Sequence, residues 1–309
     1  ILQTSPEDVD ELHNAAESCR GEDAEGLQWT ATQMRKALRR LPRLASAAIT
    51  GYRNDYLRLL ADLPNEVLRK LIPFFAGLLQ HRFEFFQDMI STVRLVPFQK
   101  KTAGIRPVGI TDPFSKVKGH IWLVVLKKII RRKVRPYQFA VLMKAGMEAL
   151  NRSLMDENAS LPLLIKKKDA QNFFNSLSRV AILEGAGQLG PQFQGYVARE
   201  LVCPTVYTLV DRGEFTDIST ATGVVQGDVL STLLTCLAVL PLQRRWATIV
   251  QARYPFLKVW GAGDVSSLSE EDKKILQEVA FPADDAIRDN IRRAESSHTQ
   301  VSEVHVSIR

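Results

Sequence analysis

Cysteine is scarce in this sequence: Cys19, Cys203 and Cys236 stand far apart among 309 residues. An odd, scattered set supports neither a disulfide framework nor a paired metal knuckle, and it fits a reducing intracellular compartment. His13, His81, His120, His298 and His305 are equally dispersed and make no zinc spacing with any cysteine, so no catalytic role falls to them. Long apolar runs are missing too. The longest uncharged stretch, Val229 to Leu242, contains Ser231, Thr232 and Pro241 and is shorter than the roughly 18 to 20 residues a bilayer requires, so no membrane partner is expected. The chain opens on Ile1 without a charged leader and apolar core, and it reads as a piece of something longer.

What is present is ordinary globular material, 45% hydrophobic and 24% charged, enough for a sizeable core. At roughly 150 residues per domain, the length suits two units, or one enzyme domain with a helical extension. Residues 1–27 form an acidic, polar N-terminal segment, and 28–90 carry helical periodicity through Met34, Leu38 and Leu41, then Leu57 and Leu60, then Leu71 and Phe75. Residues 270–309 are a polar C-terminal tail, expected to be a solvated helix with a frayed end.

The net charge of +7 is unevenly placed. Between Arg94 and Arg135 twelve Lys or Arg face one acid, Asp112, a density that favours an anionic partner over a merely solvated helix face. Leu95 to Phe98 alternates as a strand, Lys100 to Gly104 turns, and Ile105 to Ile110 returns. The result is a basic-tipped hairpin on which Lys100, Lys101 and Arg106 could meet phosphates, Arg106 through a fork.

Leu161 to Lys166 reads as a strand delivering Asp169, with Ala170 to Leu183 continuing as turn and helix; Asp169 there also suits a helix N-cap. Val224 to Asp228 is a turn in which Asp228 caps a buried helix over Val229 to Leu240, and Phe256 to Trp260 is a strand delivering Asp264. Two carboxylates on neighbouring strands suit hard divalent cations and in-line phosphoryl transfer.

These motifs together resemble the reverse transcriptases of non-LTR retrotransposons over about Tyr56 to Ser269. Arg94 to Lys101 with Gly104 to Gly109 and Lys116 is similar to the family's fingers signature. Asp169-Ala170-Gln171-Asn172-Phe173-Phe174-Asn175-Ser176, then Ser178-Arg179, is similar to its first palm motif, and Gly223 to Ser231 to its Gln-Gly turn, with Val229 where Pro is usual. The resemblance implies an α+β right-hand architecture: fingers over 91–168, a palm with an antiparallel sheet over 169–269, an N-terminal helical extension and no recognisable thumb. It implies an RNA-directed DNA polymerase taking RNA template, DNA primer and deoxynucleoside triphosphates, with two Mg2+ ions (or Mn2+), in an intracellular, nuclear setting.

On this resemblance Asp169 and Asp264 are the catalytic metal ligands. Lys100, Arg106, Phe174, Gln226 and Gly227 bind nucleotide, Phe174 as the gate against a 2′-hydroxyl, while Lys101, Lys116, Lys118 and Arg179 contact nucleic acid. Phe174 argues against an RNA-dependent RNA polymerase. In the last motif Gly263 stands where the family has its first Asp, which implies impaired catalysis. The alternative reading is a catalytically inactive descendant that binds nucleic acid or serves as a scaffold.

Overall fold

The N-terminal helical region forms because its ends are capped and its apolar residues fall on one face. Thr30 and Gln33 cap reciprocally, each side chain bonding the other's backbone amide, and the helix that follows buries Met34, Ala37 and Leu38. A computed structural model describes residues 10, 12–14, 17, 27–99, 105–135, 138, 141–142, 145–146, 148, 164–168, 173–253 and 304–308.

Along the described chain run α1 (Ala31–Arg39), α2 (Asn54–Leu59), α3 (Asn65–Leu79) and α4 (Glu84–Ser91), then strands β1 (Val93–Gln99) and β2 (Ile105–Ile110). Next come α5 (Pro113–Val125), α6 (Lys127–Val134), β3 (Leu164–Lys168), α7 (Phe173–Ser176), α8 (Arg179–Gly187) and α9 (Pro191–Val202). The hairpin β4 (Thr205–Asp211) and β5 (Glu214–Thr220), helix α10 (Ser231–Arg253) and strand β6 (Val304–Ile308) complete them. The protein is α+β. No helix among the described residues is long and apolar enough to cross a membrane.

Backbone packing divides the chain into one unit of Ile1–Lys133 and Asn172–Ala238, and a second of Val134–Gln171 and Val239–Arg309. The first holds a four-stranded sheet in the order β2-β1-β4-β5. β1 and β2 are antiparallel with Phe98 opposite Arg106, which is the expected hairpin; its tip lies outside the described residues. β4 and β5 are antiparallel, joined through Arg212 and Gly213, both at positive φ, as a two-residue hairpin turn demands.

β1 and β4, however, run parallel, so the sheet is mixed rather than antiparallel. Parallel neighbours need a long crossover, and local alternation cannot show which distant strand closes it. The segment expected as fingers and the 205–220 segment expected within a separate palm therefore share one sheet.

Helices α1, α3 and α5 pack together, and Trp122 of α5 meets Phe193 and Tyr196 of α9 at ring separations of 5.1 and 5.4 Å. Asp112 opens α5 by accepting from the Phe114 amide at 2.8 Å, with Pro113 at the first helical position. The turn and helix expected over Ala170 to Leu183 are realised as two pieces: α7 ends at Ser176, and Ser178 starts α8 afresh by accepting from Ala181.

In the second unit β3 pairs in parallel with β6, so the tail contributes a strand where a solvated helix and frayed end were expected. The strand expected over Phe256 to Trp260 lies outside the described residues.

The residue that knits the first unit is Arg179, at the start of α8 and 4% exposed. Its guanidinium donates to the carbonyls of Leu201 (2.6 Å), Cys203 (2.8 Å), Gly223 (3.3 Å) and Thr220 (3.3 Å) and to the Thr205 hydroxyl (2.9 Å). One fork thus joins α8 to the end of α9, the start of β4, the end of β5 and the following loop. Burial depresses its pKa to about 10, so it stays charged at neutral pH. Arg179→Lys keeps the charge but not the fork, and should cost about 3 kcal/mol through orphaned carbonyls. The urea midpoint, at unchanged m-value, measures it.

Candidate functional site

Three segments that are distant in sequence meet beside β2. The loop from Thr222 to Val224 is stitched to the end of α7: Val224 donates to the Phe174 carbonyl (2.8 Å), Gly223 to that of Leu177 (2.9 Å), and the Thr222 hydroxyl to that of Asn175 (2.9 Å). Gly223 sits at φ +62°, and a Cβ there would overlap the Phe174 and Asn175 backbone, so glycine is required.

On the other side the Gln226–Gly227 turn locks onto β2. The Gly109 amide donates to the Gln226 carbonyl at 2.8 Å. Gly227, at φ +114°, would place a Cβ 2.6 Å from the Gly109 carbonyl oxygen, while a Cβ on Gly109 would strike Val225 and Val93. Two glycines facing each other let the turn and the strand approach backbone to backbone.

The turn is also held from behind. Asp228 accepts from the Leu230 amide at 2.9 Å, closing a side-chain turn just ahead of α10, which begins at Ser231 rather than directly after Asp228 as expected, and Ser231 donates to the Val225 carbonyl at 2.6 Å. Phe174 is half-buried against Phe173, the rings 6.1 Å apart and edge to face. Arg106 is exposed on β2, three residues before Gly109. No family model matches the chain, and no curated protein is similar to it.

Of the residues expected at a nucleotide site, Phe174, Gln226 and Gly227 are thus gathered, and Arg106 lies on the strand they abut. Lys100, Lys101, Asp169, Asp264 and Gly263 lie outside the described residues. Among the described residues no group of three His, Cys, Asp or Glu side chains could hold a metal.

The structure corrects the expectation for the inner cations. Arg179 is spent on five internal acceptors and presents nothing to a nucleic acid. Lys118 is fully buried, its ammonium 2.6 Å from a Glu200 carboxylate oxygen, 3.2 Å from the Gln87 amide oxygen and 5.8 Å from the centre of the Tyr196 ring. Lys116 is 8% exposed between Asp112 and Asp228; burial lowers its pKa against the pull of both carboxylates. In α5 these lysines fall on or beside the helix's buried face, where a count of positive charge cannot distinguish them from surface lysines.

Glu200 and His81 are residues the sequence reading missed. The His81 ring nitrogen lies 2.7 Å from the same Glu200 oxygen, and His81 holds φ +54° at the end of α3, a conformation costly for a side-chain-bearing residue. Burial alone would raise the Glu200 pKa, but the Lys118 ammonium and His81 outweigh it and hold it at about 2. The local signal was faint: Glu200 is the single acid of an amphipathic helix whose neighbours Tyr196 and Val197 are buried.

Removing one partner of this pair should be worse than removing both. Glu200→Gln leaves the Lys118 ammonium buried without a counter-charge and should cost about 3–5 kcal/mol, whereas adding Lys118→Met should recover most of it. Urea melts of both variants test this double-mutant relation.

His120 in α5 makes the opposite kind of demand. Neither ring nitrogen has a hydrogen-bond partner among the described residues, and burial, aided by Arg40 and Lys116, pushes its pKa down to about 4. Its ring is neutral in the fold and protonates in the unfolded chain, so its contribution is whole above about pH 6.5 and is lost as pH falls towards 4. Lowering pH from 7 to 5 should cost about 2 kcal/mol by that linkage. Stability measured against pH should flatten over this window in His120→Leu.

Proposed function

We propose that this chain is the fingers and palm portion of a reverse transcriptase of the non-LTR retrotransposon type, an RNA-directed DNA polymerase domain. The observation that carries the reading is the convergence of three motifs far apart in sequence. Phe174 and its neighbours, the loop through the Gln226–Gly227 turn and the Arg106–Gly109 strand are joined by three backbone hydrogen bonds and one from the Thr222 hydroxyl.

In this function each side chain has a physical task. Arg106, with Lys100 and Lys101 from the sequence between β1 and β2, takes the triphosphate or the template backbone through charge-assisted bonds. Phe174, braced by Phe173, fills the space a 2′-hydroxyl would need. The Gln226–Gly227 turn, exposed at Gly227, offers a backbone surface on which a nucleotide can lie close. The protein's contribution to the displacement is positioning and charge stabilisation.

Asp169 and Asp264, two hard carboxylate donors, would hold Mg2+ or Mn2+, which supplies charge neutralisation for an attacking 3′-hydroxyl and a departing pyrophosphate. Gly263, where the family has a further Asp, favours a second reading: an inactive descendant that keeps the nucleic-acid groove as a binding or scaffold protein.

Primer extension on a DNA primer annealed to an RNA template, with Mg2+ or Mn2+, separates the two. The enzyme predicts deoxynucleotide incorporation that Asp169→Ala abolishes, Gly263→Asp raises, and Phe174→Val opens to ribonucleotides by about tenfold or more. The binding protein predicts salt-dependent association without incorporation, even in Gly263→Asp. A chain that neither binds primer-template nor extends it overturns both.

A further inference from the structure

The four-stranded sheet of the first unit has two edges, and they are treated differently. At the β2 edge the Gly109 amide is taken by the Gln226 carbonyl, and Pro107, two residues earlier and facing the same way, has no N–H to offer. Arg106 beside them is exposed. Proline, charge and a covering loop are devices that keep an edge strand from pairing.

The β5 edge has no proline, no lysine and no bulge: all seven residues, Glu214–Thr220, stay in unbroken register with β4. Because Arg212-Gly213 is a two-residue turn, Asp211 and Glu214 exchange hydrogen bonds, and alternation gives the same to Leu209 with Thr216 and to Tyr207 with Ile218. The N–H and C=O groups of Phe215, Asp217 and Ser219 therefore point away from β4, and among the described residues they have no partner. Every β5 residue before Thr220 is exposed, Phe215 at 68% and Ile218 at 42%.

An outward row of amides and carbonyls at every second residue is matched by another extended polypeptide. Charge decides which. The chain carries +7 overall, yet this hairpin bears Asp211, Glu214 and Asp217 against Arg212. Among the described residues no Lys or Arg forms an ion pair with Glu214 or Asp217; Asp217 turns one oxygen to the Thr208 hydroxyl at 2.6 Å. A second copy of β5 is opposed, because the antiparallel register of full overlap sets Asp217 against its own counterpart.

We propose that β5 is a docking edge for a basic extended segment of another protein. The segment adds antiparallel to the sheet, with lysine or arginine opposite Glu214 and Asp217 and apolar side chains opposite Phe215 and Ile218. Docking at this edge is independent of polymerase activity.

The probe is a capped, fluorescently labelled peptide, Thr-Thr-Val-Lys-Thr-Val-Lys, titrated into the full chain and followed by anisotropy. It should saturate with a dissociation constant below about 1 mM, and the counterpart with glutamate at both lysines should bind at least about tenfold more weakly. N-methylation of the first lysine, whose amide faces Asp217, should abolish binding, while N-methylation of the next threonine, whose amide faces away, should leave it intact. In the chain, Ser219→Pro removes an outward N–H and none that β4 uses, and should weaken the peptide about tenfold or more. Glu214→Gln with Asp217→Asn, which keeps an oxygen for Thr208, should weaken it about fivefold. Amide exchange at Phe215, Asp217 and Ser219 should slow on binding, with Thr216 and Ile218 unchanged.

No saturable binding, equal affinity for the glutamate peptide, or indifference to the position of the N-methyl group would overturn the proposal. So would a chain that dimerises through β5, seen as a concentration-dependent mass that Ser219→Pro removes. If Ser219→Pro fails to fold, the two methylated peptides on the unaltered chain decide it.

Discussion

A buried guanidinium must find acceptors for its N–H groups, and Arg179 finds them in four separate segments. Once the ends of α9 and β5, the start of β4 and the Gly223 loop are tied to one planar fork, the loop can leave the sheet in essentially one direction. The Gly223 and Val224 amides then reach α7, and Gln226 and Gly227 reach β2. The position of the turn is thus a consequence of satisfying one desolvated cation, and the candidate site inherits its geometry from that requirement.

The same reasoning explains the second charged cluster. Lys118 is carried inside on α5, and α9, α4 and the α3–α4 junction supply Glu200, Gln87 and His81 around it. Such a pair adds little net stability over an apolar replacement, yet it punishes any arrangement that separates its members. Its effect is to hold α4, α5 and α9 in register, and those helices with the sheet form the walls of a cavity behind the turn. Even His81, in a left-handed conformation that glycine would adopt more easily, is kept there by its bond to Glu200.

Much of the local architecture was legible without coordinates. The basic hairpin, the early amphipathic helix opened at Thr30, the Asp228 turn and the buried helix that follows all rest on interactions within a few residues. The β4–β5 hairpin was equally local, with Arg212-Gly213 between alternating segments, and went unread although its turn residues announce it. By contrast, the breaking of the 170–183 helix depends on carbonyls that bond the Thr222–Val224 loop almost fifty residues away. No periodicity within 170–183 encodes that partner.

The sequence by itself determined which residues are able to take part: glycines where two backbones must touch, phenylalanines at the candidate gate, and a concentration of lysine and arginine around the hairpin. Those properties belong to single side chains and short spacings. The tertiary structure alone decided what each cation does, because burial and partner are properties of the packed chain. Arg106 remains on the surface, while Lys116, Lys118 and Arg179, indistinguishable from it by charge, are drawn inside to carboxylates and carbonyls that only the fold supplies. The parallel joining of β1 to β4 was settled at the same level, since a strand's neighbour across more than a hundred residues is chosen by what the intervening helices bury.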